Sequence, residues 1–169
     1  MDWGIGIAIG AIAVGVIAGV IIGKKNRKLM DQGVANKNRS ADFYMQETTF
    51  KTVVPDLQAF LGAFDEKVLS GQKISTTRDS EHNRLIFRDS GGSFAATLKD
   101  AGSDTEGIHS FAFRVNTWKT NKYGSIEISA RMGANIVLTA IEKTFLTLDY
   151  NAVAERVYVT DLKSETSFF

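Results

Sequence analysis

Residues 3–23 read WGIGIAIGAIAVGVIAGVIIG, and the indole N–H of Trp3 is the only polar side-chain group in the run. No other feature restricts the chain as strongly. At 1.5 Å per residue, a helix of this length covers roughly 31 Å, the hydrocarbon thickness of a bilayer. A helix that is apolar all round needs either lipid or a second protein layer large enough to enclose it. A chain of 169 residues has little to spare for that layer. A secretory signal peptide would carry its positive charge before the apolar run and a cleavage site after it. Here only Met1 and Asp2 precede the run, whereas Lys24, Lys25, Arg27 and Lys28 follow at once. The expectation is an uncleaved, single-pass anchor over residues 1–23.

Charge gives its orientation. An excess of Lys and Arg marks the cytoplasmic side of a span, so the expected topology in the cell membrane is N-terminus out and C-terminal domain in the cytoplasm. Within the span, Ala11, Gly15, Gly19 and Gly23 recur every four residues and share one helix face. Such a ridge lets a second helix approach backbone to backbone, which points to self-association or to packing against a partner membrane protein. A run this rich in Gly and Ala also produces the spacing by composition, and both readings stand.

Residues 24–42 form a basic juxtamembrane linker with six basic and two acidic residues, against 14 basic and 16 acidic over residues 43–169. Lys24, Lys25, Arg27 and Lys28 are placed to meet anionic lipid headgroups, each contributing ~1 kcal/mol near such a surface. Their alternative role is to fix topology alone. The slightly acidic remainder argues against a nucleic-acid partner, which calls for a basic domain. No cysteine occurs, so disulfide and thiol chemistry are excluded.

Residues 43–169 suffice for one compact domain. A short strand is expected over 47–52. Leu57, Phe60, Leu61, Phe64 and Val68, between Pro55 and Gly71, describe one amphipathic helix. Strand signals follow over 73–79, 84–88, 93–99, 108–120 and 125–130, joined by polar turns, the pattern of an antiparallel meander. Val137, Ile141, Phe145 and Leu148 return to helical spacing over 134–148. Asp149 could open a second helix through Ala152, Val153, Arg156 and Val157, although the β-branched content leaves a strand reading open there. The expected fold class is α+β: a single transmembrane helix, then a small domain whose antiparallel sheet is packed by an N-terminal amphipathic helix and C-terminal helices. This order of elements is similar to that of helix-grip, START-like ligand-binding domains, a resemblance that implies a cavity for a lipid or other hydrophobic ligand.

Catalytic constellations are absent. Asp89-Ser90-Gly91-Gly92 echoes the nucleophile segment of chymotrypsin-like serine proteases, but His82 in a turn and His109 at a strand start do not complete a triad. A tight turn is the expectation. Two separated histidines without a cysteine make no metal site, and no phosphate loop, dinucleotide fingerprint or HExxH calls for a cofactor. One surface pattern stands out in FAFRVNTWKT. Phe111, Phe113 and Val115 alternate with Arg114, Asn116 and Trp118, which places the second trio on the opposite strand face. That trio could hold an anionic or aromatic ligand or anchor a partner; the alternative is cross-strand packing with Arg114 paired to a nearby carboxylate. Two function classes remain: a membrane-anchored, non-enzymatic interaction module, or a membrane-tethered domain for a hydrophobic ligand.

Overall fold

A computed structural model describes residues 22–159. The chain divides into two compact units between Lys37 and Asn38. In the first, residues 22–31 form helix α1. Gly33 ends it with a φ of 67°, its N–H donating to Met30 O while the N–H of Val34 donates to Leu29 O. This left-handed closure satisfies carbonyls that the last turn would leave open. The expected span Trp3–Gly23 lies outside the described residues except for its last two positions. No helix among the described residues is long and apolar enough to cross a membrane.

The second unit is α+β with a six-stranded antiparallel sheet. A short 3-10 turn, Phe43–Met45, leads into β1 (Gln46–Thr52), followed by two short helices, α2 (Leu57–Ala63) and α3 (Glu66–Ser70). The meander β2 (Ile74–Asp79), β3 (Arg84–Asp89), β4 (Phe94–Ser103) and β5 (His109–Trp118) comes next, then the long α4 (Ile128–Leu148) and β6 (Val153–Tyr158). The sheet order β2-β3-β4-β5-β1-β6 places the first strand between the end of the meander and the last strand.

Alternation along the strands builds the core. Leu85 and Phe87 of β3, Phe94, Ala96 and Leu98 of β4, and Phe111, Phe113 and Val115 of β5 are all buried. The ring of Phe145 on α4 sits 4.8 Å from those of Phe50 and Phe60 and 5.1 Å from that of Phe111. Phe64 extends the cluster, 5.1 Å from Phe60 and 6.0 Å from Phe87. Near its start, α4 comes so close to the sheet that a Cβ on Gly133 would stand 2.3 Å from the Phe94 ring. Only glycine permits that approach.

Three sequence expectations are corrected. The amphipathic helix between Pro55 and Gly71 is two helices, because Asp65 starts a new one: its carboxylate accepts from Lys67 N at 3.0 Å, as Asp56 caps α2 through Ala59 N at 2.8 Å. The strand expected over 125–130 shrinks to one bridge between Ile126 and Thr120, and Ile128 instead opens α4 with 66% of its surface exposed. The second C-terminal helix is strand β6, paired with β1 from Val153 opposite Lys51 to Tyr158 opposite Gln46. Asp149 does not start a helix. Its carboxylate accepts from Thr52 Oγ1 (2.8 Å), Val53 N (3.0 Å) and Asn151 N (2.9 Å), which turns the chain back toward the open edge of β1.

The unit also reaches back to Asn38. Arg39, read above as linker, is bound into it. Its guanidinium donates to Asn135 Oδ1 at 2.7 Å, to Thr139 Oγ1 at 3.1 Å and to both carboxylate oxygens of Glu142 at 3.0 and 2.6 Å. The side chain is 4% exposed and lies over the Phe43 ring. Arg156 of β6 adds a second cation to Glu142 at 3.0 Å.

Candidate interaction surface

Helices α2 and α4 lie on the face of the sheet that carries the buried phenylalanines. The other face is built by the alternate residues, and the register shows which of them are neighbours, since residues directly opposite in an antiparallel pair share a face. Arg88 stands opposite Ala95, Arg84 opposite Lys99, Lys99 also opposite Ala112, and Arg114 opposite Thr97. Small side chains thus form the floor of the middle strands, with long cations around them. Arg88 and Lys99 are exposed, and Arg84 and Arg114 are partly so.

On β3, β4 and β5 every charged side chain of this face is basic. The acids lie on the flanking strands: Asp79 on β2, Glu47 on β1 and Glu155 on β6. Asp79 holds Arg84 at 2.8 Å, and Glu155 holds Lys51 at 2.8 Å. The His82 ring, and after it Arg84, keep the Asp79 carboxyl below its ordinary value of 3.8. Arg88 and Lys99 make no ion pair among the described residues.

The trio Arg114, Asn116 and Trp118 is only partly assembled. Asn116 and Thr97 are hydrogen-bonded side chain to side chain at 3.2 Å, so Asn116 shares the outer face with Arg114. A bulge then interrupts the register: Ala96 pairs with Val115, but Ala95 pairs with Thr117 and Phe94 with Trp118. The extra residue reverses the alternation, as a bulge does. Trp118 is therefore opposite the inward Phe94, and its ring meets Tyr44 edge-on at 5.0 Å.

The other sequence-derived sites are distributed as follows. Lys24, Lys25, Arg27 and Lys28 are all exposed on α1. Gly23 has open space where a Cβ would project, while Ala11, Gly15 and Gly19 lie outside the described residues. Asp89-Ser90-Gly91-Gly92 is a tight turn between β3 and β4. The Asp89 carboxylate organises it by accepting from Gly91 N, Ser93 N and Phe94 N at 3.2, 2.6 and 3.1 Å and from the Ser93 hydroxyl at 3.0 Å. His82 lies in the turn between β2 and β3, and His109 at the start of β5 opposite Thr52. No group of three or more metal-ligating side chains occurs among the described residues.

No protein-family model, curated protein or solved structure matches the chain. Sequence reasoning named Arg114 and Asn116 but passed over Arg84, Arg88 and Lys99. Their outward direction follows from the inward alternation of Leu85 and Phe87 on β3 and of Phe94, Ala96 and Leu98 on β4; their adjacency depends on pairing, which one sequence does not display.

Proposed function

We propose that the protein is a membrane-anchored, non-enzymatic interaction module. Trp3–Gly23 is the anchor, the ridge Ala11, Gly15, Gly19 and Gly23 offers a site of helix association, and the α+β unit is held on the cytoplasmic side for a partner. Lys24, Lys25, Arg27 and Lys28, exposed on α1, suit an anionic inner leaflet. The observation that carries the reading is the contrast between the two sheet faces. Beneath α4 the space is taken up by the rings of Phe50, Phe60, Phe111 and Phe145, whereas on β3–β5 the opposite face carries Arg84, Arg88, Lys99 and Arg114 among small and polar side chains. An open antiparallel face supported by a rigid core is a natural contact surface.

The test combines extraction and protection. The full chain should stay with membranes through an alkaline wash, and its C-terminal unit should resist protease added to intact cells. Release by the wash, or digestion from outside, refutes the reading. A hydrophobic-ligand domain is the second reading. The two short helices after β1 and the long α4 across an antiparallel sheet favour it, and the phenylalanine cluster and the Gly133–Phe94 approach weigh against it. A copurifying lipid seen by native mass spectrometry of the detergent-solubilised chain would revive it.

A further inference from the structure

Opposed like charges cost stability in a sheet, so their presence asks for a reason. Arg84 stands directly across from Lys99, and Arg88 lies four residues further along β3 on the same face. Only Arg84 of these three is balanced by a described carboxylate, that of Asp79. The cations gather in a unit whose residues 43–169 are net acidic, 16 against 14. Charge on this domain is therefore segregated, with a basic strip down the middle of one face and acids on either side.

We propose that this strip receives an acidic polypeptide segment from a partner protein. The inference rests on the interaction-module reading above and names the chemistry of the partner. Width decides among anionic partners. Neighbouring strands lie about 4.8 Å apart, so the strip on β3–β5 is roughly 10 Å across, the breadth of one helix or one extended chain. A planar anionic membrane is far broader than the strip and would also meet the Glu47 carboxylate and the ion-paired Asp79 and Glu155 along the flanks, where it gains no charge contact. Nucleic acid is disfavoured because the outward positions of β3–β5 hold no aromatic side chain on which a base could stack. An acidic segment fits between the flanking carboxylates. The floor of Ala95, Thr97 and Ala112 leaves room for its backbone, and Arg88 and Lys99 supply charge that nothing described neutralises.

The experiment uses the full chain in non-ionic detergent and a fluorescent peptide of alternating Glu and Ala, about 12 residues or roughly 18 Å as a helix. Binding should appear at low salt and weaken as salt is added. Reversing Arg88→Glu together with Lys99→Glu should lower the affinity about tenfold or more, as expected when charge complementarity is inverted. Lys67→Glu on α3, away from the strip, should leave it unchanged. If the reversed pair alters the thermal melt, Arg88→Gln with Lys99→Gln gives the same comparison without repulsion, and a loss of about threefold or more supports the strip. The proposal is overturned if the folded wild-type chain ignores the Glu–Ala peptide or binds a Lys–Ala peptide equally well. It also falls if the strip variants bind as wild type, or if phosphatidylserine vesicles or a single-stranded oligonucleotide bind the strip where the peptide does not. These results concern the occupant alone; failure of the wash and protease test would remove the module reading whatever the peptide does.

Discussion

The Asp149 carboxylate joins three parts of the fold by accepting from the Thr52 hydroxyl, the Val53 amide and the Asn151 amide. The Val53 amide, then the Thr52 hydroxyl, hold its carboxyl below the ordinary value of 3.8. A carboxyl depressed in the native state contributes stability that is fully present above its unfolded value and fades as pH falls through the lower native one. Asp149→Ala should therefore cost about 1–3 kcal/mol at neutral pH, because it leaves buried donors unpartnered. Urea denaturation over a pH series checks both statements: the gap between wild type and variant should hold steady near neutrality and narrow below pH 3.8. A gap that stays constant into acid would show that the carboxylate charge has no part in it.

Among the elements, α4 depends on Gly133 for its depth against the sheet. Gly133→Ala forces the Phe94 ring or the helix to move, and such overpacking costs about 1–3 kcal/mol. Trimming the obstacle with Phe94→Leu in the same chain should recover part of that loss, so the double-mutant cycle should show coupling of about 0.5 kcal/mol or more. Strict additivity would mean that the two residues do not meet. Elements of this kind were unevenly legible. β1 to β5 were visible in the sequence because period-two alternation and polar turns are local signals. The split between α2 and α3 was hidden because Leu57, Phe60, Leu61, Phe64 and Val68 keep helical spacing across the break, and only the capping role of Asp65 separates the two helices. β6 was obscured by Val153 and Val157, four residues apart, which suit either a helix face or one side of a strand. Pairing with β1, about a hundred residues earlier, decides for the strand, and no local pattern records a partner so distant.

For the whole molecule, the structure revises where the folded unit starts. Arg39 lies in a stretch that reads as a polar tether, yet its side chain is nearly enclosed by Asn135, Thr139 and Glu142. Removing one member of a buried ion pair costs about 3–5 kcal/mol, and Arg156 beside Glu142 should hold the loss near the lower figure. A fragment over residues 38–169 should accordingly unfold at higher urea than one beginning at Ala41, and Arg39→Ala in the longer fragment should abolish the difference. Equal midpoints would return Arg39 to the linker.

The position of β1 has a consequence for synthesis. It leaves the ribosome before the other described strands, but its two edges are completed by β5 and, last, by β6. Until β6 has been made, Thr48 and Phe50 lack Arg156 and Ala154, their partners on one side, and pairings this remote in sequence form slowly. A prematurely ended product would therefore keep an unpaired strand edge exposed, a mark by which quality-control proteases can distinguish unfinished chains from complete ones.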